Sequence, residues 1–147
     1  MENIFENFTI TILKMNKLVQ RIKNFEMREY GLKTIHVMCM YFINIHPDGI
    51  TASELTKLTI EDKAAISRAL KVLKEKGYVS YDANRYNADI RLTDEGKGLA
   101  SIIIKKADAA VNAVSYDFTE EQRSSFYREL VTIADNLKNY YNKIIEK

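Results

Sequence analysis

The side chains best suited to chemistry lie in one stretch, residues 62–77, which reads DKAAISRALKVLKEKG. Ile66, Leu70 and Leu73 recur at helical spacing, which predicts a helix with one apolar face. The other faces then carry cations and hydrogen-bonding groups, and a helix of that kind fits a DNA major groove. The candidate contacts with double-stranded DNA on this helix are Lys63, Ala64, Ala65, Ser67, Arg68 and Lys71.

Each of these residue types suggests a different contact. The planar fork of Arg68 matches the O6 and N7 acceptors of guanine, so Arg68 is expected to read a base. Lys63 and Ser67 would touch either bases or only phosphates. Ala64 and Ala65 would pack on thymine methyl groups or simply allow close approach. An ordinary solvated helix with a charged face is the alternative.

The residues before this helix predict a helix-turn-helix. The sequence Thr-Ala-Ser-Glu at 51–54 is typical of a capping box. A short helix over Ser53–Leu58 follows, with Leu55 and Leu58 expected to face inward, and residues 59–61 make the turn.

Thr51 and Ser53 are candidate DNA contacts for a separate reason. They lie at the N-terminus of the short helix, where free backbone N–H groups and the positive helix end favour a phosphate. The alternative is that both residues only cap the helix, and the sequence leaves the two interpretations open.

The residues after the helix predict a β-hairpin, or wing. Tyr78–Tyr81 and Ala88–Leu92 read as short strands, separated by a polar tip at residues 82–87. Arg85 at this tip is expected to reach a minor groove or a phosphate. Tyr86 would either stack on sugar or base, or support the hairpin. A helix-turn-helix followed by such a hairpin is a winged helix.

This set of residues resembles the MarR (multiple antibiotic resistance regulator) family of transcriptional regulators. The resemblance is carried by D-K-x-x-I-S-R-x-L-x-x-L-x-x-K-G-Y-V at residues 62–79 and by L-T-x-x-G-K at residues 92–97. At the wing, Asn84-Arg85-Tyr86 stands where the family has D-x-R, so the aspartate is missing and the cation is displaced by one position.

The resemblance also implies how the chain is organised. One domain, residues 1–147, would hold a DNA-binding region at 34–92 between helical dimerisation segments at 1–30 and 94–147. A homodimer would bind a pseudo-palindromic operator with half-sites one helical turn, ~34 Å, apart. Similar proteins bind small aromatic or amphipathic effectors in a crevice beside the dimer helices. The residues that would line it here are equally typical of a helical core: Met15, Met38, Met40, Tyr41 and Phe42.

The flanking sequence predicts a mainly α fold with a small β-hairpin wing. One proline and five glycines indicate a mostly helical chain. Helices are predicted over residues 4–27 and 35–45, from Thr93 onward, and from a capping box at residues 119–122 to about Ile145. The first and last helices carry apolar stripes that the protein's core or a second copy must cover. Their members are Phe5, Phe8, Ile12, Met15, Val19 and Ile22, and then Phe126, Leu130, Ile133, Leu137 and Ile144.

The sequence argues against several classes of site. It has no nucleophile elbow, no glycine-rich phosphate loop and no Cys–His pair with an orienting partner, so an enzyme is not expected. Two histidines and one cysteine without metal-ligand spacing predict neither a metal nor a cofactor. Cys39, in an apolar segment, is expected to be buried rather than to sense peroxides. His36 is expected to hydrogen-bond between helices.

The chain is expected to be cytoplasmic, with no membrane association. A single cysteine suits a reducing compartment, and the acidic N-terminus is unlike a signal peptide. The longest apolar run, Val37–Ile43, is far shorter than the roughly 20 residues of a membrane helix.

Together these patterns predict a sequence-specific DNA-binding transcriptional regulator, and the resemblance to the MarR family implies a repressor that a small-molecule effector can release. The net charge of +2 is small, and acids lie among the cations of the middle third. A winged-helix dimer that serves as a protein–protein interaction module, with weak or no specific DNA binding, is therefore the alternative.

Overall fold

Helices account for most of the described residues, 3–147, of the computed structural model. Residues 1 and 2 of the predicted 1–30 segment, and the side chain of Phe5 in the predicted stripe, lie outside the described residues. The six α-helices of the described chain are α1 (Ile4–Glu26), α2 (Thr34–Asn44), α3 (Ala52–Thr59), α4 (Lys63–Glu75), α5 (Asp94–Val114) and α6 (Glu120–Ile145). A 3-10 turn, Arg28–Tyr30, follows α1, and the strands β1 (Val79–Ser80) and β2 (Arg91–Leu92) follow α4. The predicted mainly α fold with a small hairpin is confirmed.

The chain divides into two compact units, one extending to Lys106 and the other spanning Ala107–Lys147. Helix α5 contributes residues to both. The single domain expected over residues 1–147 stays a prediction. No helix in the described part of the chain is both long enough and apolar enough to cross a membrane.

The core of the first unit lies between α2, α3, α4 and the wing. α2 is its central element, because Cys39 and Met40 are 0% exposed and Ile43 is 1% exposed. α3 contributes the fully buried Leu55, and α4 contributes the fully buried Ile66. This packing fixes the rotation of α4 about its own axis, so that its opposite side faces solvent.

The inward orientation predicted for Leu58 is wrong, since this side chain is 44% exposed. The buried residue of α3 is Leu55. A position three residues further along an α-helix is turned away by about 60°, which places Leu58 at the edge of the contact face.

The wing strands are shorter than predicted. β1 and β2 pair antiparallel through two residue pairs, and Ile90 makes an isolated bridge to Ile50 instead of extending the hairpin. Asn87 adopts a left-handed conformation with φ 51°, which interrupts the extended backbone between the tip and β2.

Candidate nucleic-acid interface

The solvent side of α4 carries the predicted contact residues. Asp62 caps the helix, because its Oδ1 accepts a hydrogen bond from the backbone N–H of Ala65 at 2.7 Å. Ile66, Leu70 and Leu73 are buried on the core side. The residues exposed on the other side are Lys63, Ala64, Ser67, Arg68 and Lys71, while Ala65 is half-buried. The predicted division of α4 into two faces is confirmed, and its contact with DNA stays a prediction.

The cations of this face have no carboxylate partners among residues 3–147. The ion pairs within 4.0 Å in that part of the chain are made by two lysines of α5, so none of them involves a cation of α4. Lys63, Arg68, Lys71 and Arg85 therefore keep their charges available for an external anion. Charge-assisted hydrogen bonds to phosphate are stronger than neutral ones, so these four groups suit a polyanion.

Thr51 and Ser53 both use their hydroxyl groups inside the protein. The Oγ1 of Thr51 accepts a hydrogen bond from the backbone N–H of Glu54 at 3.2 Å. The carboxylate of Glu54 accepts two in return, one from the hydroxyl of Thr51 at 3.0 Å and one from the backbone N–H of Thr51 at 2.8 Å. The predicted capping box is thus confirmed. The Oγ of Ser53 donates to the Oδ1 of Asn87 at 3.1 Å. Since phosphate oxygens accept hydrogen bonds, a DNA contact by either hydroxyl would replace one of these bonds.

The wing is joined to both ends of α4 by lysine–tyrosine contacts. Near the C-terminus of α4, Lys74 donates from Nζ to the carbonyl oxygen of Tyr81 at 2.7 Å and lies 4.4 Å from the centre of its ring. At the wing tip, Tyr86 is 83% exposed, with the Nζ of Lys63 at 5.7 Å from its ring centre. Tyr86 therefore contacts the start of α4 while one side stays open, so both of its predicted roles stay open.

Two cavities adjoin α4. The first, of about 490 Å³, lies between α3, α4 and the wing, and its lining includes Lys63, Tyr81, Arg85 and Tyr86. The second, of about 560 Å³, is lined by α4 and the start of the wing. Met40, for which the sequence left a crevice lining and an ordinary core position open, is 0% exposed and belongs to the core in this structure.

Cys39 and His36 of α2 are both buried inside the protein. Cys39 is fully buried as predicted, and burial, with a smaller contribution from Glu61, raises the pKa of its thiol to about 12. The predicted interhelical bond of His36 is wrong, because its Nδ1 accepts from the N–H of Lys33 at the N-terminus of its own helix, at 2.9 Å. Burial, and then the charges of Lys33 and Lys76, lower the pKa of His36. No group of three or more His, Cys, Asp or Glu in the described chain is arranged to hold a metal ion.

Asn87 lies at this surface and was not singled out from the sequence. It is exposed, but its side chain bonds to α3 and its φ is positive. Asparagine enters the left-handed region more readily than most residues, which is the only local signal. Its partner, Ser53, is 34 positions away in the chain, too far for any helical or strand spacing to indicate.

Comparison with known proteins agrees with this architecture. The MarR family model matches residues 30–85, which include the helix-turn-helix and the first part of the wing. A curated relative, the uncharacterized HTH-type transcriptional regulator YdgJ of Bacillus subtilis, is 31% identical over 98 residues. The aligned stretch covers 64% of this chain and 59% of the length of that relative.

Solved structures share the fold along nearly the whole chain. A MarR protein from Peptoclostridium difficile has a TM-score of 0.85 at 20% identity, covering 98% of this chain and 95% of that one. The MepR–DNA complex of S. aureus has a TM-score of 0.77 at 15% identity, covering 88% and 97%. Identities this low show the fold alone. Members of the MarR family are transcriptional regulators and not enzymes. The family model matches the helix-turn-helix of this chain, and the relative in B. subtilis is similar over 98 residues, so this chain is similar to members of the MarR family.

Proposed function

We propose that this protein is a homodimeric, sequence-specific DNA-binding regulator that represses transcription by occluding a promoter. Helix α4 enters the major groove, and Arg85 reaches the neighbouring minor groove or the backbone. The observation that carries the proposal is the solvent face of α4, where unpaired cations and small side chains stand opposite a buried apolar face. The MepR structure of S. aureus, which has the same fold, contains DNA and supports this assignment.

The arrangement of donors on α4 suits the dimensions of a groove. Lys63, Ser67 and Lys71 are spaced by four residues, so they form one row along the helix. That row is ~12 Å long at 1.5 Å per residue, comparable with the width of a major groove. Arg68 lies beside the row, and the small Ala64 allows the backbone to approach the bases. In this arrangement the lysines would position the helix and Arg68 would select the base.

A second copy of the chain would cover the apolar stripes. Within a single chain, stripe residues of α1 are 39–48% exposed: Phe8, Ile12, Met15, Val19 and Ile22. In α6 the stripe residues are 38–49% exposed: Phe126, Leu130, Ile133, Leu137 and Ile144. Soluble monomers rarely leave such large apolar surfaces open, so we infer that both helices take part in a homodimer interface. The dimer would present two copies of α4 to an operator with two half-sites.

The proposal includes release from DNA by a small aromatic or amphipathic effector. The cavity of about 490 Å³ supports this part, because it combines the rings of Tyr81 and Tyr86 with the cations of Lys63 and Arg85. An aromatic anion would satisfy both kinds of group. Since Lys63 and Arg85 are also the proposed DNA contacts, a bound effector would compete with DNA for them.

Benzoate added to the protein–DNA complex should release the DNA. DNA binding that stays unchanged up to millimolar benzoate would argue against this effector site.

Fluorescence anisotropy with a labelled duplex from the protein's own promoter tests the DNA-binding function. A scrambled duplex serves as control, and each is measured at low and near-physiological salt. The proposal predicts tighter binding to the promoter that persists at physiological salt, with affinity falling as salt rises because counterions are released. Equal affinities that disappear at physiological salt would argue for the alternative, a winged-helix dimer that binds a protein partner.

A further inference from the structure

Besides its two contacts with α4, the wing is attached to residues 48–53, at and just before the start of α3, at three points. Two hold its base: the backbone bridge between Ile50 and Ile90, and a hydrogen bond of 2.5 Å from the guanidinium of Arg91 to the carbonyl oxygen of Asp48. The third lies closer to the tip, where Asn87 meets α3. Of these three contacts, the one made by Asn87 therefore has the most direct influence on the position of the tip.

The side chain of Asn87 acts as a cap for α3. Its Oδ1 accepts from the Oγ of Ser53 at 3.1 Å and from the N–H of Ser53 at 3.4 Å. The first N–H groups of a helix have no partner within the helix. Thr51 satisfies the N–H of Glu54, and Asn87 supplies the acceptor for the preceding N–H from the wing. Its left-handed backbone, with φ 51°, directs the side chain to this position.

We propose that Asn87 is a positioning residue, which holds the wing tip against α3 so that Arg85 and Tyr86 reach DNA at a fixed distance from α4. This inference rests on the proposed function. Tyr86 contacts Lys63 on α4 while Asn87 bonds to Ser53 on α3, so two consecutive residues tie the tip to both helices.

Without the hydrogen bonds between Asn87 and Ser53, few contacts would hold the wing tip in one conformation. Its own turn is held by two exposed bonds: the N–H of Asn84 to the carboxylate of Asp82 at 3.0 Å, and the N–H of Arg85 to the carbonyl oxygen of Asp82 at 3.2 Å. The strands below it are two residues long. A mobile tip would lose conformational entropy on binding DNA, and preorganisation removes that cost.

Three variants separate the contributions of the Asn87 acceptor, the Asn87 backbone conformation and the Ser53 donor to this contact. Asn87→Gly retains access to the left-handed conformation and removes the acceptor. Asn87→Asp retains both the acceptor and a residue that tolerates positive φ, so it is the conservative rescue. Ser53→Ala removes one of the two donors and should give an intermediate result. The thermal midpoint of each variant, compared with the wild type, controls for loss of the fold.

A reporter at the tip measures its mobility without DNA. The chain contains no tryptophan, so Tyr86→Trp provides a unique fluorophore that still offers a ring to Lys63. In this background, Asn87→Gly should lower the fluorescence anisotropy and raise quenching by acrylamide, while Asn87→Asp should leave both unchanged. Equal anisotropy and quenching in all variants would overturn the proposal.

Binding to the operator then tests whether the tie positions Arg85. Asn87→Gly should weaken binding about three- to ten-fold, the range of one hydrogen bond. In the Asn87→Gly background, Arg85→Ala should cost much less affinity than it does in the wild type, whereas the cost of Arg68→Ala should be unchanged. Additive effects of Asn87→Gly and Arg85→Ala would overturn the positioning role. If the wild type bound no DNA, the proposed function would fail, and the mobility measurement alone would decide whether Asn87 holds the tip.

Discussion

Arg68 and Lys71 illustrate how two cations on one helix face are expected to do different work. Both are exposed in the described chain and neither has a carboxylate partner there. The guanidinium has a rigid fork that matches guanine O6 and N7, whereas the ammonium is a flexible point charge. The lysine is therefore suited to phosphates, which carry no sequence information, and the arginine to a base edge.

Arg68→Ala should cost ~1–3 kcal/mol of binding free energy at the cognate site and relax the preference at one base pair. Lys71→Ala is the matched control, because removing a phosphate contact should weaken binding to all sequences alike. Anisotropy titrations with single-base variants of the operator measure both effects. Unchanged affinity and base preference for Arg68→Ala would mean that α4 does not read bases through this residue.

His36 predicts a pH dependence of stability. The pKa of His36 is lowered in the folded protein, so the unfolded chain binds more protons once the pH falls below about 6.5, the ordinary histidine pKa. The stabilisation from neutral His36 is therefore complete above that pH and is lost as the pH falls. His36→Gln can still accept from the N–H of Lys33, as Gln122 accepts from that of Thr119 at 2.9 Å. Urea unfolding at pH 7.5 and 5.5 should show a smaller loss of stability in the variant, and equal losses would contradict this assignment.

At the residue scale, an interaction could be predicted from the sequence when its two residues lie close together along the chain. The exposed row on α4 and the capping boxes follow from spacings of three and four residues. The bond between Ser53 and Asn87 joins residues 34 positions apart, and no periodic pattern encodes it. His36 was placed in the right segment with the wrong partner, because a buried histidine can bond locally as easily as across a helix interface.

At the element scale, the turn between α3 and α4 contains a residue under strain. Ile60 has φ 57° and is 92% exposed. A β-branched side chain in the left-handed region is a genuine outlier, and each such residue costs roughly 1–2 kcal/mol through its Cβ. The exposed side chain makes little compensating contact within this chain.

Ile60→Gly should raise the free energy of unfolding by up to ~1 kcal/mol, since the relief of strain exceeds the greater entropy that glycine loses on folding. Ile45→Gly is the matched control: Ile45 is 49% exposed, but it has a negative φ of −81°, so glycine should destabilise there. Urea midpoints at one protein concentration compare them. A lower midpoint for Ile60→Gly would mean that the isoleucine makes a contact that offsets its strain.

Helix bounds were predicted closely because caps and apolar spacing are local. Thr119 and Gln122 form their capping box, and α6 begins at Glu120 and ends at Ile145. The hairpin was less predictable, because strand length depends on pairing across the sheet. The run from Ala88 reads as a strand, but Asn87 and the bridge between Ile50 and Ile90 leave only two residue pairs in the hairpin.

At the scale of the whole molecule, the proposed homodimer would cover the apolar stripes of α1 and α6. Leu137→Glu places a charge in the α6 stripe and should shift the protein from twice its 17.0 kDa chain mass towards the monomer, because a buried unpaired charge is costly. Asn136→Glu adds the same charge next to the stripe and should stay dimeric. Light scattering after gel filtration measures both masses. A monomeric wild type, or equal behaviour of the two variants, would contradict the proposed interface.

Dimethyl sulfate footprinting on a bound promoter duplex tests the central claim most directly, because the reagent methylates guanine N7 in the major groove. With α4 in the groove of each half-site, guanines in two patches about one helical turn apart should be protected. Arg68→Ala, at concentrations that saturate the duplex, should restore methylation within both patches. A fully bound duplex whose guanines remain as reactive as in free DNA would show that the protein binds without α4 in the major groove.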